Sequence, residues 1–175
     1  MNASPEMPRI SKVKIVPPSS LDIVWRDGGK ARVDLAGWIA TGGDVLAPLR
    51  TAEVFATAKV DEYGTDVQWD GNDDLLIDGF HLRLLANEQR PFEAEDFAAW
   101  QRTAKLSNQE AADFLGVALS TFHSYRRGST IPAAVKIACR AALRDPMVIQ
   151  AHFKPRYAGR PNRLSPAVKA PAKAV

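Results

Sequence analysis

Asp70, Asn72, Asp73, Asp74, Asp78 and His81 gather carboxylate, amide and imidazole donors within residues 70–81, the types that hold a hard cation. Asp70, Asn72 and Asp74 fit the first three ligand places of a calcium loop. Leu75 stands where that loop needs its glycine, and His81 where it needs its closing glutamate, so the pattern fails. The segment reads instead as a turn network or a helix N-cap, and no metal is expected. A second group, Ser120, Thr121, His123, Ser124, Arg126 and Arg127, offers hydroxyls, an imidazole and two guanidinium groups. These exchange hydrogen bonds and attract anions. The chain shows no Ser/His/Asp spacing, no glycine loop to cradle phosphate and no activating context for its one cysteine, Cys139. It therefore does not read as an enzyme, and no cofactor is expected.

Charge separates the chain into two parts. Residues 1–90 carry 10 Lys and Arg against 14 Asp and Glu, net −4, and residues 91–175 carry 13 against 6, net +7. From Ala118 onward there are 11 basic residues against one acidic residue, Asp145. Such asymmetry is the footprint of a polyanion-binding module joined to an acidic one. A lone cysteine excludes an internal disulfide and suits a reduced, cytoplasmic setting. No run approaches the length of a membrane span, and Met1 to Pro18 lacks the apolar block of a secretory signal.

The first half reads as strands and turns. Ser11–Val16 alternates, and Leu21–Trp25 and Lys30–Leu35 flank Arg26-Asp27-Gly28-Gly29, a hairpin signature. A second pair, Thr57–Tyr63 and Asp66–Trp69, turns at Gly64, and helical spacing over Leu49–Ala58 predicts one short helix. The expectation is an α+β domain over residues 10–88, a small antiparallel sheet with a helix on it. Trp25, Trp38 and Trp69 suit its core better than a partner surface. Polar Asn87 to Pro91 suits a linker.

The second half changes period, and residues 92–153 are expected to form an all-α domain. Glu93–Lys105 places Phe97, Trp100 and Ala104 on one stripe. Ser107 and Glu110 form a capping box that starts a second helix, which Gly116 closes. Leu119–Arg127 follows with Phe122 and Tyr125 inward, then Gly128, then Ala133–Arg144, where Val135 and Cys139 suit the core. Two short helices joined by a glycine turn, with small Ala112 where they cross, define a helix-turn-helix. Residues 154–175 form a basic tail too poor in apolar residues to order itself. Its Gly159-Arg160-Pro161 is similar to a minor-groove hook, but Ala158 stands where an arginine is usual, which leaves nonspecific phosphate attraction.

Leu106 to Pro132 closely resembles the lambda-repressor-like, or Xre-type, helix-turn-helix family. The resemblance rests on Gln109-Glu110-Ala111-Ala112, Leu115-Gly116-Val117, a Ser-Thr-aromatic segment, Tyr125, and Arg127-Gly128 before Pro132. It departs at Ala118, where a Ser, Thr or Asn cap is usual, and at Arg126, where an acid is common. The resemblance implies a recognition helix in the major groove of double-stranded DNA, with Leu119, Ser120, Thr121, His123, Ser124 and Arg127 toward the bases. Asn108 and Gln109, at a helix N-terminus, would take a phosphate, and Arg126, Thr130 and Lys136 further backbone contacts. It also implies a homodimer on paired half-sites.

Residues 12–82 resemble an uncharacterised bacterial domain family often encoded beside a small toxin-like partner. The match lies in Asp27-Gly28, Val33-Asp34-Leu35, Leu46-Ala47-Pro48-Leu49, Val54-Phe55 and Val67-Gln68-Trp69-Asp70-Gly71-Asn72-Asp73. Two functions are therefore expected. The first is a sequence-specific transcriptional regulator, by expectation a repressor. The alternative is an antitoxin-like module whose acidic half binds a protein partner, with DNA binding autoregulatory.

Overall fold

A computed structural model of the chain describes residues 7–156. The basic stretch from Tyr157 onward, including Gly159-Arg160-Pro161, lies outside the described residues. The chain is a mixed α/β protein that divides into two compact units, Met1–Arg90 and Pro91–Val175.

In the first unit the expected single sheet is two. Strands β1 (Ile10–Val16), β2 (Ser20–Trp25) and β3 (Lys30–Asp34) form an antiparallel meander in the order β1-β2-β3. Register sets Val13 opposite Ile23, Ile15 opposite Leu21 and Val33 opposite Leu21. Leu21, Ile23, Trp25 and Val33 are buried on one face, while Asp22 and Arg32 pair across the other at 2.7 and 3.1 Å. That alternation is what a sheet with one wet face requires. A second meander joins β4 (Lys59–Val60), β5 (Asp66–Gln68) and β6 (Leu76–Asp78).

The helix expected over Leu49–Ala58 is broken. Helices α1 (Ala36–Thr41) and α2 (Gly43–Leu46) lead into a 3-10 turn, Ala47–Arg50, and then α3 (Ala52–Phe55). Thr51 between the last two is extended, with φ −88° and ψ 126°, and Pro48 opens the 3-10 turn, so one helix cannot run through. Their buried Ile39, Leu46, Leu49 and Phe55 close the core over Trp69, whose indole N–H donates to the Phe55 carbonyl at 3.1 Å. Helix α4 (Gly79–Gln89), absent from the sequence reading, is capped by Asp78, which accepts from the His81 N–H at 2.8 Å. The residues proposed as linker begin inside it. The Gln89 amide bonds both the N–H and the carbonyl of Asp34, at 2.7 Å each, and so covers the edge of β3 as a neighbouring strand would.

The strand expected over Thr57–Tyr63 stops at Val60 because Asp61 turns the chain. Its carboxylate accepts from the N–H groups of Tyr63, Thr65 and Asp66 and from the Thr65 hydroxyl. Burial pushes this carboxyl up, but those donors outweigh it and hold it below its ordinary range. Gly64 completes the turn at φ +73°, and a side chain there would strike the Ile10 carbonyl.

The second unit is helical: α5 (Ala94–Ala104), α6 (Asn108–Leu115), α7 (Leu119–Arg126), α8 (Ala133–Arg144) and α9 (Met147–His152). Its core holds Phe92, Phe97, Trp100, Leu106, Phe122, Ile131, Val135 and Cys139. Trp100 fills the centre although its indole N–H has no partner among the described residues. Burial pushes the Cys139 thiol up to about 12, the state of an inert core cysteine. No helix among the described residues is long and apolar enough to cross a membrane.

A carboxyl held low in the folded state adds stability above its unfolded pKa and loses it as pH falls through the folded value. Stability measured by urea unfolding should therefore drop between about pH 5 and pH 2, in part through Asp61. Asp61→Asn should cost on the order of 1 kcal/mol at pH 7 and flatten that acid limb. An unchanged limb would remove Asp61 from the account.

Candidate nucleic-acid interface

The outer face of α7 is prepared by what lies beneath it. An eight-residue helix is marginal alone in water, so its direction is set by what it buries. Phe122 and Tyr125 both pack on Phe97 of α5, with ring centroids 5.1 and 5.7 Å apart and Tyr125 edge-on. Phe97 in turn lies 5.4 Å from Trp100, and Trp100 is 6.0 Å from Phe114 of α6. Ala111 and Ala112 are fully buried, which lets α6 and α7 meet closely.

The turns follow from local chemistry. Ser107 and Glu110 make the capping box, with N–H···O distances of 2.8 and 3.3 Å. Gly116 takes the left-handed conformation at φ +67°, with open space where a Cβ would sit. A substitution there would meet backbone strain alone. Helix α7 starts at Ala118 with no side-chain cap, so the departure noted in the sequence is a real gap in the hydrogen bonding. Its far end is satisfied by main chain: the Arg127 N–H reaches the His123 and Ser124 carbonyls, and Ser129 N–H also reaches Ser124.

This geometry brings the proposed contact residues to the surface. Asn108, Leu119, Ser120, Arg126, Arg127 and Thr130 are exposed, and Gln109, Thr121, His123, Ser124 and Lys136 are half-buried. None is enclosed in the core. The sequence has no Asp or Glu between Asp113 and Asp145, so α7 and the loop after it are free of carboxylates. Ser124 donates its hydroxyl to the Ser120 carbonyl at 3.1 Å. Its oxygen is thereby left to accept rather than donate.

Three positions are tied more closely than sequence suggests. Gln109 donates to Asp113 at 2.9 Å, and Arg156 grips the same carboxylate through two bonds of 2.7 Å. Arg156 beside Asp113 holds that carboxyl below its ordinary range. Arg126 donates to the side-chain oxygen of Gln101, although it remains exposed. Gln101 is the residue that sequence reasoning missed. It is buried on α5, and its amide also donates to the Leu106 carbonyl at 3.0 Å and to Asn108 Oδ1 at 2.8 Å. One amide therefore joins the C-terminal turn of α7 to the N-terminal turn of α6. Its signal was a polar residue beside Trp100 on the apolar stripe Phe97, Trp100, Ala104.

Arg102 and Lys105 were missed as well. With Gln101, Leu106 and Arg126 they line a cleft of about 360 Å³ beside the start of α6. Lys105 closes α5 in the left-handed conformation, φ 54°, a position no periodicity argument supplies. The acidic run of the first unit is occupied by structural contacts. Asp70 pairs with Lys59 at 2.7 Å, Asn72 accepts from the Asp74 N–H, and Asp78 caps α4. Among the described residues no group of three His, Cys, Asp or Glu side chains could hold a metal ion.

Two substitutions test this framework by chemical denaturation. Ala118→Ser supplies the missing N-cap and should stabilise by about 1 kcal/mol. Gln101→Met keeps volume but strands the Leu106 carbonyl and its partners, and should destabilise by about 1–3 kcal/mol. Hydrogen exchange should then rise first at the start of α6 and the end of α7. Equal protection in the variant and the wild type would show that Gln101 joins nothing.

No protein-family model matches the chain, and no curated protein matches it. Among solved structures it is similar to a chain from Nitrosomonas europaea described as a "putative DNA binding protein", at 26% identity over 86% of this chain and 94% of that one. The TM-score is 0.43, a level at which neither fold nor binding role follows from the likeness.

Proposed function

We propose that α6 and α7 are a helix-turn-helix of the lambda-repressor-like kind and that the chain is a sequence-specific transcriptional regulator, by this reading a repressor. The observation that carries it is the outer face of α7: accessible hydroxyls, an imidazole and a guanidinium on a helix docked by Phe122 and Tyr125, with no carboxylate on it. At about 1.5 Å per residue, such a helix is short enough to lie within one major groove.

Roles follow from donor and acceptor chemistry. Ser124, its proton engaged by Ser120, would accept from a base amino group, adenine N6 or cytosine N4. Leu119 suits a thymine methyl group, and Arg127 the O6/N7 pair of guanine or a phosphate. Ser120, Thr121 and His123 complete the face toward the bases. Asn108, whose oxygen accepts from Gln101, keeps its N–H donors for a phosphate at the start of α6, beside Gln109. Arg126, Thr130 and Lys136 would add backbone contacts, with Arg102 and Lys105 extending them. Two copies would read half-sites about one helical turn apart. On this reading the chain is a cytoplasmic, non-enzymatic DNA-binding protein that needs no cofactor.

A second reading draws on the first unit. Phe80 and Leu84, one turn apart on α4, are 44% and 39% exposed in a half of net charge −4. Paired apolar anchors on a unit of net negative charge suit a basic protein partner, as an antitoxin-like module would need.

Footprinting on the DNA upstream of the coding sequence at moderate salt tests the first reading. The wild type should protect a discrete, two-fold related site. Ser120→Ala with Arg127→Ala should erase that protection and leave salt-sensitive, sequence-blind binding. Wild-type binding that is sequence-blind from the outset would refute the regulator reading.

A further inference from the structure

We propose that the first unit carries a binding site for a small dianion, a phosphate monoester or a dicarboxylate, built from Arg9, Arg26 and Arg83. The three line one cleft of about 310 Å³ with Met7, Pro8 and, among the described residues, a single carboxylate, Asp27. The described lining therefore has net charge +2 in a half whose sequence is net −4. Three guanidinium groups repel one another at close range, and one carboxylate does not balance them. A dianion would.

Each arginine is held in place by a different means. Arg83 reaches from α4 to lie over the Trp25 ring, 4.1 Å from its centroid, and donates to Asp27 at 2.9 Å. A guanidinium stacked and paired in this way has lost most of its freedom before any ligand arrives. Its Nε is buried and makes no hydrogen bond among the described residues. A buried donor left unmade costs free energy, which an oxyanion reaching it would recover. Arg26 is aligned by its backbone N–H, bonded to the Arg9 carbonyl at 2.8 Å. Its guanidinium lies against Gly64, where a Cβ would sit 3.1 Å from Nη2 and 3.3 Å from Nε. Arg9 donates to the Tyr63 carbonyl at 3.2 Å.

The three side chains thus come from the residue before β1, the residue after β2 and helix α4, with Arg9 and Arg26 held against the Tyr63–Gly64 turn. Arg is the side chain for such a site because its donors form a planar fork that matches carboxylate and phosphate oxygens. The volume is at the lower end of small-molecule pockets, which fits a metabolite-sized anion rather than a polymer. Asp27 orients Arg83 and would repel a ligand of higher charge. The site is independent of whether α7 binds DNA.

The test is titration of the full-length, 15N-labelled chain with sodium phosphate, and separately with sodium malonate, at ionic strength held constant with sodium chloride. The Arg83 Nε–H and Trp25 indole N–H resonances report on the cleft alone, apart from any anion attracted to α6–α8. Both should shift saturably with at least one of the two anions, and the tighter binder assigns the ligand class. Arg26→Gln keeps the stem on Gly64 but removes the charge, and should weaken binding at least tenfold with the remaining spectrum unchanged. Arg9→Gln should do the same to a smaller degree. Shifts that never saturate, or saturable binding that is unaltered in Arg26→Gln, would overturn the site.

Discussion

The second unit depends on one packing centre, the ring of Phe97. Helix α7 is too short to hold itself, and only two of its eight side chains, Phe122 and Tyr125, are buried. Both rest on Phe97. Because two aromatic contacts suffice to dock the helix, the other positions are released from the core and can be polar without penalty. The division of α7 into an aromatic underside and an outer face of hydroxyls and guanidinium is therefore a consequence of packing.

Polar groups then set the helix ends. A bihelical corner brings helix termini together, and each terminus carries backbone groups that need partners. The Ser107–Glu110 box and left-handed Gly116 satisfy those of α6. Gln101 does more than satisfy a group, because its three bonds join α5, the Leu106 carbonyl, Asn108 and Arg126. A buried amide with every partner in place holds geometry that apolar contact alone would leave loose. Arg126, where the resemblance leads one to look for an acid, is accommodated because the group facing it is a neutral amide that can accept.

The first unit solves a different problem, an acidic chain that must bury three tryptophans in or beside a small sheet. Trp25 and Trp69 are buried and Trp38 half-buried. The ring face of Trp25 is covered by Arg83, and the indole N–H of Trp69 is met by the Phe55 carbonyl. Covering an aromatic face with guanidinium places positive charge in a negative half, and Arg9 and Arg26 add to it. That local reversal of sign is invisible in the overall charge count.

Local signals in the sequence determined the elements whose cause is local. The Arg26–Gly29 hairpin, the capping box, the Gly116 stop, and the inward Phe122 and Tyr125 are each fixed by a few neighbouring residues, and each is legible without coordinates. The single sheet, the unbroken Leu49–Ala58 helix and the missing α4 mark where that method fails. Gly79 opens a helix where its N–H bonds the distant Thr65 carbonyl, whereas the Thr51 break and the Asp61 turn rest on neighbouring hydrogen bonds that no hydrophobic period records. The same holds at the sites. The outward residues of α7 were readable from its period. The convergence of Gln101 with Arg126, and that of Arg9 and Arg26 with Arg83, joins residues 25 to 74 positions apart. Only folding in three dimensions could bring those side chains together, because no helical or strand period spans such separations.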